Sequence, residues 1–251
     1  MAELKLPTEM VTLPSKGLLY PKDSPLAKGE VEMKYMTARE EDILTNANYI
    51  KNGTVIDKLL QSLIVTSINY DELLIGDKNA ILIAARILGY GKDYQFKYNN
   101  NGQEIDATID LSSLKEKELD ESLFKAGMNE FTYTLPKSNN TVTFKLLTHG
   151  DQKKIDGEIK GMQKITPGGS FDVTTRMKYI ITSVNNDRDQ KSIRDFVDNF
   201  LLAPDARALR EYYTKVTPDI ELKYYPEDLD YTGEGITVPI SLNFFWPDAG
   251  V

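Results

Sequence analysis

His149 is the chain's one histidine, so it is the first place to look for chemistry. It stands in Leu147-Thr148-His149-Gly150-Asp151, where a strand pattern gives way to a helical one. A histidine base needs a nucleophile and an orienting carboxylate beside it, and the sequence holds no Gly-x-Ser-x-Gly elbow. A capping or turn residue at a helix start is the simpler reading. Gly89-Tyr90-Gly91-Lys92 has part of the pattern of a phosphate loop, but its glycines follow a helix and no Ser or Thr follows Lys92. Helix termination accounts for them better. Glu40, Glu41 and Asp42 are adjacent carboxylates. Glycoside hydrolysis needs two carboxyl groups facing each other across about 5–10 Å, whereas adjacent acids on a first helical turn serve the helix dipole.

Three further patterns invite the same comparison. Asn185, Asp187 and Asp189 alternate as calcium ligands do, but Gln190 stands where the loop needs Gly and Phe196 where it needs Glu. A polar loop between helices fits them better. Tyr94, Phe96 and Tyr98 alternate on one strand face, and such a strip can stack nucleic-acid bases. Core or interface packing is the commoner use. Phe244-Phe245-Trp246-Pro247 is different, because three consecutive aromatics cannot share one strand face. At least one of them must meet another element or another chain, and aromatic anchors concentrate at interfaces.

Composition narrows the classes. The chain has 251 residues, with 30 Lys and Arg against 38 Asp and Glu, giving a net charge of −8. The acidic balance argues against non-specific nucleic-acid binding, which needs clustered cations. With no Cys and one His, thiolate sites and multi-histidine metal sites are excluded. No apolar run approaches the ~20 residues of a bilayer span. The N-terminus lacks a basic stretch followed by an apolar one, which predicts a protein that stays in the cytoplasm where it is made.

The elements that would position these residues follow from pattern. Residues 1–36 read as an extended arm, with Pro7, Pro14, Pro21 and Pro25 forbidding a long helix. Glu30-Val31-Glu32-Met33-Lys34-Tyr35-Met36 alternates as a half-buried strand. Thr37-Ala38-Arg39-Glu40 has capping-box spacing. A second helix carries Ile56, Leu59, Leu60, Leu63 and Ile64 on one face, and a third runs over residues 77–88. Residues 94–98 and 105–109 flank an Asn-Gly pair, a hairpin signal. Residues 131–135 and 142–147 predict a second hairpin. Helices are predicted near 150–163, 172–184, 190–201 and 204–216, the last with Pro204 in its first turn. Residues 220–242 return to strand, a topological echo of the hairpin at 94–109. The fold class is α+β: two helical groups, each followed by β-hairpins. The best domain break falls at 110–130, giving units of 1–115 and 116–251.

Two motifs together point to a family. Leu13-Pro14-Ser15-Lys16-Gly17-Leu18-Leu19-Tyr20 and Met36-Thr37-Ala38-Arg39-Glu40-Glu41-Asp42-Ile43-Leu44, followed near the C-terminus by Phe244-Phe245-Trp246-Pro247, resemble the baseplate proteins of T4-like tailed phages. The resemblance implies a non-enzymatic part in baseplate hub structure or assembly. It implies partners among other baseplate, tail-tube or tape-measure proteins, with self-association left open, and neither nucleic acid nor membrane. It also implies a location in the host cytoplasm during assembly and then in the virion tail. A transient assembly chaperone is the alternative. A cell-wall hydrolase and a nucleic-acid module fit less well. The expected contact residues are Leu13, Pro14, Lys16, Gly17, Leu18, Leu19 and Tyr20 of the arm, Arg39, Glu40 and Glu41, and Phe244, Phe245 and Trp246. The resemblance implies that many family members carry Cys-x-x-Cys pairs in both hairpins, resembling zinc ribbons. Here those places read Tyr98-Asn99-Asn100-Asn101-Gly102 and Tyr225-Pro226-Glu227-Asp228. No cofactor is expected, and packing and turn chemistry must hold the hairpins.

Overall fold

The computed structural model describes residues 6–100, 102–226, 235–240 and 242–245. The fold is α+β. Strand β1 (Thr8–Thr12) pairs antiparallel with β2 (Glu30–Lys34), and the proline-rich segment between them folds into turns. A helical group follows: α1 (Ala38–Leu44), α2 (Ala47–Lys51), α3 (Val55–Leu63) and α4 (Ile75–Tyr90). The periodicity missed α2, a single turn and a half. Asn46 caps it, its side-chain oxygen accepting the Asn48 and Tyr49 N–H groups at 3.0 and 3.2 Å. Hairpin β3 (Asp93–Asn100) and β4 (Gln103–Asp110) comes next, its turn closed by Gly102 N–H donating to Asn99 Oδ1 at 2.8 Å.

The second half holds one correction. Strands β5 (Phe131–Thr134) and β6 (Thr141–Phe144) form the expected hairpin, and α5 (His149–Ile165) follows. The predicted helix over 172–184 is instead α6 (Asp172–Ile180) running directly into strand β7 (Ile181–Val184), which adds to β6 as the third strand of a sheet. The β-branched pair Ile181-Thr182 ends the helix, and hydroxyl bonds from Thr143 to Thr182 and Ser183, at 2.8 and 2.6 Å, secure the strand. Helices α7 (Gln190–Asn199) and α8 (Ala203–Val216) complete the group, and β8 (Lys223–Tyr224) and β9 (Ile236–Thr237) form a short tail ribbon.

One apolar cluster draws on both sides of the expected break, from Leu13 and Leu60 to Phe144, Leu209 and Phe245. The expected break at 110–130 is a stretch of short turns, and a bridge from Glu116 to Ile220 ties it to the tail.

The arm is fastened by polar bonds inside that core. Asp77, in the first turn of α4, is fully buried. Its carboxylate accepts the Ser15 N–H at 2.9 Å, the Ser15 O–H at 2.7 Å and the Tyr20 O–H at 2.6 Å. Tyr20 Oη in turn accepts the Leu74 N–H at 2.9 Å, and Ser15 Oγ accepts the Gly17 N–H at 3.2 Å. The turn that aims these donors uses two consecutive left-handed residues, Lys16 (φ 50°) and Gly17 (φ 74°). A Cβ on Gly17 would lie 2.4 Å from the Ala27 carbonyl oxygen, so glycine is required there for space as well as for φ.

Removing the Tyr20 hydroxyl strands one buried donor and one buried acceptor at once. Tyr20→Phe should lower unfolding stability by about 2 kcal/mol. Ser15→Ala should cost a similar amount, and the double variant should cost less than the sum because both donors serve one carboxylate. Urea titrations of the four proteins measure this directly.

Candidate functional site

The expected contact residues divide sharply once placed. Leu13, Leu19 and Tyr20 are buried, at 0%, 2% and 4% exposure, and Pro14 and Gly17 are buried with them. The arm motif therefore faces the chain's own core, and these five residues are buried against it. Phe244 and Phe245 are also fully buried. Phe244 stands edge-on to Tyr94 with ring centroids 4.8 Å apart, and to Phe245 at 5.4 Å. Trp246 lies outside the described residues. Lys16, Arg39 and Glu41 remain exposed and Leu18 half-buried. Lys16 reaches Glu121 at 2.5 Å across the mouth of a small cleft beside the arm.

Glu40 is an internal residue too. The capping-box spacing puts it in the first turn of α1, where its carboxylate reaches back to the Thr37 N–H at 3.0 Å and the Thr37 O–H at 2.6 Å. It also takes Lys34 Nζ from β2 at 2.8 Å and Ser62 Oγ from α3 at 2.7 Å. One carboxylate thus joins a strand and two helices. Burial alone would push Glu40 up. The bonds from Lys34, Thr37 and Ser62 outweigh it and hold the group down at about 2.

His149 opens α5, but Thr148 is the cap: its Oγ1 accepts the Asp151 N–H at 3.2 Å. The imidazole is buried where α3, α4, α5 and the turn at Tyr70–Glu72 meet. Nδ1 lies 3.2 Å from Lys78 Nζ, and Nε2 lies 3.5 Å from Asp57 Oδ2 and 3.9 Å from Asp71 Oδ1. Lys78 also reaches Asp57 at 2.5 Å, and Tyr70 O–H donates to Asp57 Oδ1 at 3.1 Å. The Tyr70 ring stands edge-on to the imidazole at 4.8 Å. Burial, then the Lys78 ammonium, push His149 below its ordinary value, against the pull of Asp57 and Asp71. A neutral ring accepting from Lys78 and directing its other N–H at Asp57 satisfies all these contacts. The cluster is an ionic joint between helices.

The remaining candidates are structural in this fold. Asp187 and Asp189 act within a turn and as the cap of α7, Asp189 accepting the Ser192 N–H at 2.9 Å. Gly91 ends α4, and Arg86 donates to its carbonyl at 2.7 Å. Tyr94 and Phe96 are buried, so their strip offers no open platform for bases. Phe96 meets Tyr224 of the tail ribbon edge-on at 5.4 Å.

An opening the sequence did not disclose is a groove of about 700 Å³ between α6, α8 and the tail. Its lining includes the apolar side chains of Ile75, Leu147 and Met177, the Tyr213 ring, and the cations Arg176 and Arg210. Tyr213 Oη accepts the Leu147 N–H at 3.0 Å, which fixes the wall. The groove draws on residues far apart in sequence, so no local motif could announce it.

These placements describe a scaffold whose motif residues hold the chain to itself. A family model described as T4 bacteriophage base plate protein matches residues 9–200. The chain belongs to that family. No curated protein matches it, and no solved structure does. The match spans the arm, both hairpins before the tail and the helices through α7, and it gives the chain a structural role in a phage baseplate.

The zinc ribbons that the resemblance suggests do not fit this baseplate chain. At the tip of the first hairpin the described residues are Tyr98, Asn99, Asn100 and Gly102, and Asn99 Oδ1 is engaged by the Gly102 N–H. Tyr225 and Pro226 stand at the second, with Glu227 and Asp228 outside the described residues. Neither set offers the thiolate or imidazole donors that structural zinc takes. Among the described residues no group of three or more His, Asp or Glu is placed to hold a metal ion.

Two titrations should be separable in solution. His149 has a folded value below 6.5, so its contribution is complete above that pH and is lost as the pH falls, because the unfolded chain takes up the proton first. Unfolding stability should decline below pH 6.5 by no more than about 1.4 kcal/mol per pH unit, and His149→Gln should flatten this limb.

Glu40 acts lower. Its folded value of about 2 lies under the ordinary 4.5, so its contribution is complete above pH 4.5 and disappears as the pH falls toward 2. Glu40→Gln should cost about 3 kcal/mol at pH 7 and weaken the acid dependence below pH 4.5. Denaturant titrations across pH 3–7 read both effects.

Proposed function

We propose that this baseplate protein is a non-enzymatic component of the hub region of a contractile phage tail, acting through contacts with other baseplate, tail-tube or tape-measure proteins. The family match over residues 9–200 carries this reading. The geometry supports it in a particular way. The groups with catalytic potential are spent on internal joints: His149 between four elements, Glu40 between β2, α1 and α3, and Asp189 on a helix cap. These joints tie the elements to one another while Lys16, Arg39 and Glu41 stay on the surface, with Leu18 half-exposed beside Lys16. We take these four as the contact residues of the arm and first helix, in place of the buried members of the same motifs. Assembly takes place in the host cytoplasm on this reading, and the protein then stays in the tail.

Quantitative mass spectrometry of purified virions beside infected-cell lysate tests the proposal. Stoichiometric copies in the virion are expected, their number reporting the symmetry of the ring they occupy. Abundance in lysate with none in particles would overturn a structural role and assign the chain to transient escort of a hub or tape-measure protein.

A further inference from the structure

The outer edge of β1 is open. Register pairs Thr8 with Lys34 and Thr12 with Glu30, and the bonds that flank the strand fix which residues face β2. Tyr35 N–H donates to the Pro7 carbonyl, and Leu13 N–H to the Gly29 carbonyl. Hydrogen-bonded pairs alternate along an antiparallel ladder, so Pro7, Glu9, Val11 and Leu13 turn their backbone groups toward β2. Thr8, Met10 and Thr12 turn theirs away. Among the described residues nothing bonds to those outward groups. All three residues are exposed, Met10 at 55%, and Leu6 just before them is exposed at 51%.

Exposed edges are ordinarily protected by charge, proline or a bulge. Hairpin β3–β4 follows that rule, with Asp93, Lys97, Glu104, Asp106 and Asp110 along its strands. β1 is more lightly protected: Glu9 is its one charge and Pro7 stands just before it, while Thr8, Met10 and Thr12 are uncharged.

We propose that this edge pairs with β1 of a second copy of the chain, antiparallel about a two-fold axis through Met10. The outward residues read Thr-x-Met-x-Thr, so a two-fold strand pair centred on Met10 sets uncharged side chains opposite one another. Centred on Met10, the ladder sets Thr8 opposite the second copy's Thr12 and Met10 opposite its Met10. Threonine pairs across strands are favourable. Glu9 falls opposite Val11 of the other copy. Shifting the centre to Glu9 would set the two Glu9 carboxylates face to face, and shifting it to Val11 would bring in the buried Leu13. Among the two-fold registers, the one centred on Met10 therefore opposes no like charges and draws on no buried residue. The ladder is short, which places the dimer among weak associations. Each copy carries −8, so raising the salt concentration should tighten the pair.

Sedimentation equilibrium of the full chain, up to about 1 mM, where weak interfaces populate, tests this. A reversible dimer is expected, and Met10→Pro should return it to monomer. Met10 N–H lies outside the β1–β2 ladder, so that variant should keep the wild-type melting temperature. Met10→Lys provides a second edge-blocking variant should the proline disturb the strand. The chain has no cysteine, so single introduced thiols report register cleanly. Met10→Cys should form a disulfide-linked dimer on oxidation. Glu9→Cys should not, because the offset carries its mate beyond the ~7 Å reach of a disulfide. A wild-type monomer throughout would overturn the proposal and leave the edge to a strand of another protein. So would a dimer undiminished by both Met10 variants, or one cross-linked through Glu9→Cys rather than Met10→Cys.

Discussion

A carboxylate withdrawn from water must be met by donors, and Asp77 is met by three, all from the arm. Burial pushes Asp77 upward, against the bonds from Tyr20 and Ser15 that pull it down, so the site is in tension and depends on the arm being seated. Much of the architecture radiates from this point. Tyr20 also takes the Leu74 N–H, and Leu74 bridges to Thr148 at the start of α5. One residue before Asp77, Gly76 packs so closely on the tail that a Cβ would lie 1.8 Å from the Pro218 carbonyl oxygen. Two residues after it, Asn79 donates to Asp219 at 3.0 Å. The start of α4 thus collects the N-terminal arm, the second helical group and the tail within six residues, 74–79.

That arrangement explains what the two family motifs are for in this chain. In the arm, Ser15 and Tyr20 supply donors, Lys16 and Gly17 supply the backbone turn, and Leu13 and Leu19 fill the core beneath. In the second motif, Glu40 gathers Lys34, Thr37 and Ser62. Both motifs are built around a buried carboxylate with a full set of donors, the condition under which burying charge is tolerated. The buried residues of both motifs are therefore scaffold residues. What distinguishes one baseplate contact from another has to lie on surfaces the motifs hold up: the exposed Lys16, Arg39 and Glu41, the groove beside α6 and α8, and the edge of β1.

The sequence was legible where the determining interaction is local. The Asn-Gly turn of β3–β4, the Thr37–Glu40 spacing and Pro204 at the start of α8 each depend on neighbours within a few residues, and each element stands where its signal lies. Legibility failed where a distant partner decides. Residues 181–184 carry a pattern that continues a helix, and only pairing with β6 makes them a strand. Asp77 stood out in the sequence only as the start of the helix predicted over 77–88. The available signal was indirect: a turn motif with a serine, a tyrosine and a glycine turn points several donors one way and needs an acceptor. The C-terminal aromatics were ambiguous for the same reason. Their spacing required a partner surface, and the hairpin at 93–110 supplied it from within the chain.

That last contact shows how ribbons without zinc ligands keep their place. A structural zinc concentrates on the order of 10 kcal/mol at one point, so a ribbon that binds it can fold nearly alone. Here the same ribbons lean on each other through Phe96 and Tyr224 at 5.4 Å, Tyr98 and Tyr224 at 6.0 Å, and Tyr94 and Phe244 at 4.8 Å. Such ring pairs contribute about 1 kcal/mol each beyond the area they bury. No one of them replaces a metal, and none exists until both ribbons and the tail are in position. Tyr94 Oη adds a bond to the Pro239 carbonyl at 3.0 Å, again between hairpin and tail. Aromatic packing therefore places the stability of these ribbons in a contact between the middle of the chain and its tail. It makes the hairpin at 93–110 depend on a tail more than a hundred residues away, so the two form or open as one unit.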